Sequence, residues 1–404
     1  MLKEIPGGVC AAKGFKAAGI YCGIRKNKTK KDLALIVSEK LAATACVYTQ
    51  NLVKGAPIYV TRDNVANGFA KAIIVNSGNA NTCNANGIEI AEGMCELLEK
   101  HMGISKSDVV VASTGVIGQP LSLDPIAGGI DELAAALGNN SGAAAEAIMT
   151  TDVIKKELAF EFELGGKTCH IGGIAKGSGM IHPNMATMLV FVTTDVAISS
   201  EMLQKALSND VKDSFNMVSV DGDTSTNDMM TVMANGFAKN AEITACGEDY
   251  DIFCAALAKV SKALARLIAK DGEGATKLLE CVVNGGIDDA GARTVAKSVI
   301  CSPLVKSAMF GSDANWGRVL CAIGYAGVEV DVDEVAVSFI SENGRVDVCE
   351  NGRGMDFSEE IAKEVLGADE IIIDVRLGDG ASTATAWGCD LTYDYVKING
   401  DYRT

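Results

Sequence analysis

Short apolar runs alternate with amphipathic stretches along the chain, which indicates buried strands interspersed with helices. Residues 71–75, 108–112 and 188–192 are nearly all apolar and too short for helices, so we predict a buried strand at each of them. Apolar residues recur at helical spacing over residues 88–102 and 252–269, which predicts two amphipathic helices. Because these elements lack the regular spacing of a doubly wound sheet, we predict an α+β fold or a layered α/β fold.

The C-terminal part of the chain has a different pattern, because turn signals separate pairs of predicted strands. Residues 334–340 and 345–348 flank an Asn-Gly pair, which is typical of a tight hairpin. Residues 370–377 and 382–398 flank a Gly-Asp-Gly sequence and predict a second hairpin. We therefore predict a smaller domain that begins near residue 285.

Composition and charge narrow the classes of protein that fit this pattern. The chain has 404 residues, of which 48% are hydrophobic and 22% are charged, as is typical of a folded globular protein. No apolar run approaches the roughly 18 residues of a membrane-spanning helix, and the N-terminus lacks the features of a signal or transit peptide. We therefore expect a cytoplasmic protein without a membrane partner. The net charge of −16 repels phosphate backbones, so we expect no nucleic-acid partner.

Cysteine and histidine usage argues against a metal centre. The chain has 13 cysteines, none of them spaced as Cys-x-x-Cys, and we interpret them as reduced and mostly buried. Its three histidines are His101, His170 and His182. They are too few for a His-rich metal site, so we predict no metal, and any Ser-His-Asp triad must draw on these three.

The glycine-rich segment at residues 174–189 is the most unusual part of the sequence. A phosphate-binding loop is disfavoured, because Lys176 precedes the glycines and the segment leads into a predicted strand rather than a helix. Thr187 offers different chemistry, since its hydroxyl can attack the carbonyl of Ala186 if the backbone is strained. The resulting ester would hydrolyse and cut the chain before Thr187. The new α-amino group, with an ordinary pKa of about 7.7 to 8.0, can then deprotonate the threonine hydroxyl. From spacing alone, Thr187 also fits an ordinary β-branched strand residue.

A family resemblance favours the interpretation of Thr187 as a nucleophile over that of an ordinary strand residue. The sequence Lys-Gly-Ser-Gly-Met-Ile-His-Pro-Asn-Met-Ala-Thr-Met-Leu at 176–189 closely resembles the self-cleavage signature of the ornithine acetyltransferases, the ArgJ family of arginine biosynthesis. Blocks that resemble those of the same family, in the same order, lie at residues 76–81, 113–118, 148–152, 221–228, 271–277, 311–318 and 398–404. The resemblance thus spans nearly the whole chain.

The resemblance implies a fold and a processing event. The fold is a layered αββα sandwich core, of the type found in DmpA and ArgJ, with a smaller C-terminal α/β domain. Self-cleavage would give an α chain of residues 1–186 and a β chain of residues 187–404. Within the β chain, residues 187–284 would complete the core and residues 285–404 would form the smaller domain.

The resemblance also implies catalytic residues. Thr187 would carry the acetyl group, and Thr114 with Gly115 would form the oxyanion hole. A hydrogen-bond donor preorganised for the oxyanion stabilises the transition state by about 2.7 to 4 kcal/mol. Without the resemblance, Thr114 and Gly115 are more simply a turn that ends the strand predicted at 108–112.

Substrate contacts follow from the same resemblance. The implied positions are Thr151, with its neighbour Thr150 as the alternative, Lys176, Thr187, Glu273, Asn399 and Thr404. Charge supports two of them, because a substrate carboxylate needs a cation in this acidic chain and the ammonium of ornithine needs an anion. Lys176 and Glu273 fit these needs, although most lysines and glutamates are simply solvated surface groups.

The predicted activity is a ping-pong transfer of acetyl from N-acetyl-L-ornithine to L-glutamate through an acetyl-Thr187 ester. It requires no cofactor, although acetyl-CoA is a possible additional substrate, and the family implies an α2β2 heterotetramer. An aminopeptidase or amidohydrolase with an N-terminal nucleophile is the alternative enzyme. A binding or assembly protein in which Thr187 is only a strand residue is the non-catalytic alternative.

Overall fold

The computed structural model describes residues 2–182 and 188–400, and these form a mixed α/β fold around two sheets. The strands are β1 (Lys3–Ile5), β2 (Phe15–Ile20), β3 (Leu33–Tyr48), β4 (Phe69–Asn76), β5 (Val109–Ser113), β6 (Lys156–Leu164), β7 (Lys167–Lys176), β8 (Leu189–Thr194), β9 (Val218–Ser219), β10 (Met229–Ala234), β11 (Leu278–Gly286), β12 (Ala336–Ser341), β13 (Gly344–Glu350), β14 (Arg353–Gly354), β15 (Glu370–Arg376) and β16 (Ser382–Cys389). The α-helices are α1 (Ala56–Asn64), α2 (Gly87–Met102), α3 (Asp124–Ala135), α4 (Ser141–Ile148), α5 (Ser200–Asp210), α6 (Glu248–Lys270), α7 (Asp289–Cys301), α8 (Pro303–Phe310), α9 (Trp316–Gly324), α10 (Glu359–Val365) and α11 (Tyr393–Gly400).

The larger sheet has nine strands and holds the predicted strands of the first half of the chain. Its order is β1-β6-β7-β8-β10-β3-β4-β5, with β2 paired to β3. The apolar runs predicted at 71–75, 108–112 and 188–192 correspond to β4, β5 and β8, whose interiors are buried. β8 lies between β7 and β10, so Leu189 pairs with both Lys176 and Met229.

The smaller sheet has seven strands in the order β14-β13-β12-β15-β11-β16-β9. The predicted hairpin at the Asn-Gly turn is confirmed, because β12 and β13 pair antiparallel and Gly344 has a φ of 133°. The boundary predicted near residue 285 falls within β11, and the division of the chain into domains stays a prediction.

The second predicted hairpin is wrong. β15 and β16 do not pair with each other, because β11 lies between them, parallel to β15 and antiparallel to β16. The strand also ends at Cys389, and helix α11 follows it instead of the predicted extension to residue 398. A Gly-Asp-Gly turn indicates that the chain reverses, but the partner of each strand is set by long-range packing.

Helix α6 packs on both sheets and fills the space between them. It lies against β6 and β7 of the larger sheet and against β16 of the smaller one. Its apolar face is fully buried, as the helical spacing over 252–269 predicts. The predicted class, a layered mixed α/β fold, is therefore confirmed. None of the described helices is both long and apolar enough to span a membrane.

Candidate active site

The turn that follows β5 presents two hydrogen-bond donors to a cavity. Thr114 and Gly115 line this cavity, and Gly115 has a φ of 130°, which favours glycine. A Cβ atom on Gly115 would lie 2.4 Å from the carbonyl carbon of Gly78, so the turn is packed against the loop that follows β4. Neither the Thr114 hydroxyl nor the Gly115 N–H is bound by another of the described residues. Both donors are therefore available to a bound oxyanion.

Lys176 brings a buried positive charge to the same cavity. It is the last residue of β7, it is 8% exposed, and its ammonium has no ion-pair partner among the described residues. Burial lowers the pKa of the Lys176 ammonium, although the negative charge of Asp152 acts in the opposite direction. A buried cation without a hydrogen-bonded carboxylate is well suited to bind an anionic substrate group.

Glu273 brings the opposite charge. It lies in the loop after α6, it is 7% exposed, and its Oε2 accepts a hydrogen bond of 2.8 Å from Nδ2 of Asn399. Asn399 belongs to helix α11, so its side chain is presented from a helix rather than from an extended terminal segment. The backbone N–H of Glu273 donates to the carbonyl of Ser178 at 3.0 Å, which ties the loop to the glycine-rich segment.

A buried ion cluster supports three of the loops that line the cavity. The ammonium of Lys156 contacts the carboxylates of Asp152, at 2.7 Å, and Asp271. Asp152 also accepts hydrogen bonds from the N–H groups of Thr150, at 3.0 Å, and Gly177, at 2.7 Å. The cluster therefore links the Thr150 loop, the glycine-rich segment and the loop that carries Glu273.

The ionisation of the two carboxyls differs. Burial opposes the charge on Asp152, but the cations Lys156 and Lys176 outweigh it and hold the pKa of Asp152 below its ordinary value. Burial raises the pKa of Asp271, although Lys156 lies against it. With both carboxylates charged, the three-residue cluster carries a net charge of −1, which favours the positive charge of the neighbouring Lys176.

The segment immediately before the predicted cleavage position is held by hydrogen bonds from a second loop. Asp221 accepts hydrogen bonds from the N–H groups of Met180, at 2.6 Å, and Ile181, at 2.9 Å. The hydroxyl of Thr224 donates to the carbonyl of His182 at 2.8 Å. Burial lowers the pKa of His182 to about 4, so its ring is neutral at pH 7. Asp221 thus organises the backbone here.

The cavity has a volume of about 320 Å³ and gathers most of the predicted site residues. Its lining consists of Ala80, Thr114, Gly115, Val116, Ile117, Thr150, Thr151, Lys176, Gly179, Met180, Ser225, Thr226, Asn227, Glu273 and Asn399. Both members of the Thr150–Thr151 pair line it, so the choice between them stays open. Three predicted site residues, Ala186, Thr187 and Thr404, lie outside the described residues.

The site also contains residues to which the sequence assigned no role. Gly179 lies against the carboxylate of Glu273, and Asn227 lies behind the Thr114–Gly115 turn. Both belong to segments that resemble family blocks, but nothing in a single sequence shows which residues of a block face one another. The sequence also assigned no role to Lys156, whose side chain is fully buried, which is rare for a lysine.

Within the described part of the chain, two donors without a partner lie beside buried charges of both signs, an arrangement suited to acyl transfer between small charged molecules. The sequence profile of the ArgJ family matches residues 16–404. The arginine biosynthesis bifunctional protein ArgJ of Caldanaerobacter subterraneus subsp. tengcongensis is 50% identical over 405 residues, which cover 100% of both chains. The protein of the same name from Bacillus subtilis is 48% identical over 403 residues, covering 99% of this chain and 98% of the relative.

A solved structure of an ArgJ protein is also similar to this chain. The crystal structure of the arginine biosynthesis bifunctional protein ArgJ from Bacillus halodurans matches with a TM-score of 0.51 and 48% identity, and covers 54% of this chain and 100% of the solved one. This chain belongs to the ArgJ family. The prediction of an acyltransferase of arginine biosynthesis is therefore confirmed, in preference to the aminopeptidase or amidohydrolase alternative.

Proposed function

We propose that this protein transfers the acetyl group of N-acetyl-L-ornithine to L-glutamate through an ester on Thr187. The single observation that carries the proposal is that Thr114 and Gly115, two donors without a partner among the described residues, share one cavity with the buried charges of Lys176 and Glu273. Thr187 is joined through Met188 to β8, and Met188 is buried beside Gly177, which follows Lys176.

The first half-reaction forms the acetyl ester. The α-amine of Thr187 accepts the proton of its own hydroxyl, and the oxygen attacks the acetyl carbonyl of acetylornithine. The oxyanion of the tetrahedral intermediate accepts hydrogen bonds from the Thr114 hydroxyl and the Gly115 N–H. The C–N bond then breaks, the proton passes to the departing nitrogen, and ornithine leaves. Lys176 binds the substrate α-carboxylate, and Glu273, held by Asn399, binds an ammonium group.

The second half-reaction returns the enzyme to its starting state. The neutral α-amine of glutamate attacks the ester carbonyl, and the same two donors stabilise the second oxyanion. The C–O bond to Thr187 breaks, the threonine oxygen regains a proton, and N-acetylglutamate leaves. Thr151 and Thr404 complete the proposed substrate contacts. The α-amine that this chemistry requires arises when the chain cleaves itself between Ala186 and Thr187.

Comparison of the purified protein with a Thr187→Ala variant tests the proposal. Denaturing mass spectrometry should show two wild-type chains that break between Ala186 and Thr187, and an intact variant. Incubation with acetylornithine labelled in the acetyl group should add one acetyl to the peptide that begins at Thr187, and glutamate should remove it. An intact wild-type chain, or an acetyl group that water removes as fast as glutamate does, contradicts the proposal.

A second donor, acetyl-CoA, is favoured by a basic loop near the cavity. Residues 25–31 carry five cationic side chains in a chain of net charge −16, and no described carboxylate pairs with Lys26, Lys28 or Lys30. The carboxylate of Asp32 fixes the base of the loop by accepting the Arg25 N–H at 2.9 Å. Phosphate groups are natural ligands for such lysines.

The loop lies beside the cavity rather than in it. Arg25 packs against Gly78, which also contacts Gly115, and it donates to the carbonyl of Met149, the residue before Thr150. A donor with phosphates on the loop could therefore extend its thioester towards the site. Replacing Lys26, Lys28 and Lys30 with glutamine should raise the KM for acetyl-CoA at least tenfold and leave the acetylornithine reaction unchanged.

A control triple variant separates local from general charge effects. Lys167→Gln, Lys262→Gln and Lys363→Gln remove the same total charge from exposed positions elsewhere. S-acetylpantetheine, which carries no phosphates, should react equally with both triple variants. Equal KM values for acetyl-CoA in the two triple variants contradict the role of the loop.

The remaining expectations join the proposal. We infer an α2β2 assembly in the cytoplasm, with no bound cofactor. Size-exclusion chromatography with light scattering tests the assembly, since a mass of one αβ pair contradicts it.

A further inference from the structure

Asn227 occupies a position in which its side-chain amide is fully used. Its Nδ2 donates to the carbonyls of Ala80, at 2.5 Å, and Ser113, at 3.0 Å. Its Oδ1 accepts from the hydroxyls of Thr82 and Thr226, both at 2.6 Å. An amide has two donor hydrogens and two acceptor sites, so none is left for a substrate. Asn227 lines the cavity, yet its hydrogen bonds all go to the protein.

These bonds meet at the two ends of the Thr114–Gly115 turn. Ser113 is the last residue of β5 and directly precedes Thr114. On the far side of the turn, the N–H of Ala80 donates to the carbonyl of Val116 at 2.9 Å. Asn227 therefore binds the residue before the turn directly and the residue after it through Ala80.

The position of the amide is restricted by packing as well as by hydrogen bonds. A Cβ atom on Gly55 would lie 2.5 Å from Nδ2 of Asn227, so the backbone touches the side chain there. The N–H of Gly55 also donates to the carbonyl of Thr226 at 3.0 Å. A side chain held in this way cannot change its orientation without moving the surrounding backbone.

We propose that Asn227 is a positioning residue that fixes the Thr114 hydroxyl and the Gly115 N–H where the oxyanion develops. The proposal rests on the acetyl transfer proposed above. Asn227 would act through geometry, because an oxyanion hole stabilises the transition state only when its donors are in place before the charge develops. Both half-reactions pass through an oxyanion, so both depend on Asn227.

The Asn227→Asp variant is the sharpest test, because it keeps the shape and changes the chemistry. The carboxylate still accepts from Thr82 and Thr226, but it places an oxygen against the carbonyls of Ala80 and Ser113. We expect kcat per cleaved molecule to fall about 10- to 100-fold for both half-reactions, with the KM for acetylornithine changed less than about twofold. The cleaved fraction is measured by mass spectrometry.

Asn240 provides the matched control. Its buried amide also bridges backbone groups, donating to the carbonyl of Ala197 at 3.1 Å and accepting the Ala197 N–H at 2.8 Å, but it does not line the cavity. Asn240→Asp should lower Tm by a similar amount and leave kcat unchanged. A similar loss of kcat in both variants would mean that Asn227 acts only through stability, which overturns the inference.

A double-mutant cycle with Thr114→Ala tests whether the effect passes through the turn. If Asn227 positions the donors, the double variant should lose less than the product of the two single losses. Independent, multiplicative losses, or a normal kcat in Asn227→Asp beside a reduced one in Thr114→Ala, overturn the inference and leave the proposed function intact. A wild-type protein that forms no acetyl-Thr187 contradicts the proposed function instead.

Thr82→Val keeps the test decisive if Asn227→Asp does not cleave itself. It removes one hydrogen bond to Oδ1 of Asn227 and leaves the amide donors in place. We expect a two- to tenfold lower kcat with an unchanged KM. If cleaved Thr82→Val has the wild-type kcat while Asn227→Asp fails to cleave itself, Asn227 acts in cleavage only. That result overturns its role in acetyl transfer.

Discussion

Gly179 lies so close to Glu273 that a Cβ atom at Gly179 would be 2.3 Å from the Cδ atom of the carboxylate. This contact joins the glycine-rich segment to the loop after α6, and the Asn399 side chain holds the carboxylate from the other side at 2.8 Å. The glycine is therefore needed for the space it leaves, because any side chain there would displace the only buried carboxylate lining the described part of the cavity.

Gly179→Ala tests this contact. The added methyl should push the Glu273 carboxylate out of its position and raise the KM for acetylornithine at least tenfold, while Tm changes little because the site borders a cavity. Gly128→Ala is the control, since a Cβ on Gly128 in helix α3 meets nothing within 4 Å. An unchanged KM in Gly179→Ala would show that the carboxylate adjusts without loss of binding.

Glu273→Gln tests the charge without changing the shape. The amide can still accept the hydrogen bond from Asn399, but it cannot pair with a substrate ammonium. We expect a KM for acetylornithine about 10- to 100-fold higher, since a hydrogen bond to a charged group contributes about 1.5 to 3 kcal/mol. Steady-state kinetics at a fixed glutamate concentration measure this KM. Equal KM values for Glu273→Gln and wild type would remove Glu273 from the proposed binding site.

Lys156→Met tests the buried ion cluster. The methionine fits the space but leaves the carboxylates of Asp152 and Asp271 without their cation. Breaking a buried ion pair by removing one partner costs about 3 to 5 kcal/mol, so urea denaturation should show a loss of that size in the free energy of unfolding. Lys155→Met, at the neighbouring residue that pairs with Glu146 on the surface at 3.4 Å, should cost under about 1 kcal/mol.

Asp210 predicts a pH dependence of stability. Burial raises the pKa of Asp210 from 3.8 to about 6 in the folded protein, and no described residue forms a hydrogen bond with its Oδ1. A raised carboxyl pKa stabilises the fold below the unfolded pKa, and this stabilisation is lost as the pH rises through about 6. Asp210→Asn should therefore raise Tm more at pH 8 than at pH 4.

The measurement is a set of thermal melts between pH 4 and pH 8. The exposed Asp379→Asn is the control, and its Tm should follow that of the wild type at every pH. A Tm difference between Asp210→Asn and wild type that does not grow with pH would contradict the proposed burial of the charge.

The local pattern predicted the elements well where a single face or a whole strand is buried. The apolar runs at β4, β5 and β8 and the helical spacing of α2 and α6 are consequences of burial within one element, which the sequence records directly. The hairpin at Gly344 could also be predicted from the sequence, because its turn residues and both of its strands are adjacent in the chain.

The strand that pairs with β15 and with β16 could not be predicted from the sequence. Their partner is β11, which lies about ninety residues earlier, and such pairing depends on which faces the helices cover rather than on the turn between them. The sequence therefore showed that the chain reverses at Gly378, but could not show that β11 lies between the two strands.

The features of the site also divide into those that the sequence predicted and those that only the tertiary structure decided. The residues of the motif and its resemblance to a family predicted the chemistry, since an N-terminal threonine, a Thr-Gly turn and two opposite charges are properties of the chain itself. Only the tertiary structure brought Lys176 and Glu273 into one cavity, placed Gly179 against that carboxylate and surrounded Asn227 with four partners. The physical reason is that these contacts join residues up to 147 positions apart, so they exist only once both sheets and α6 have packed together.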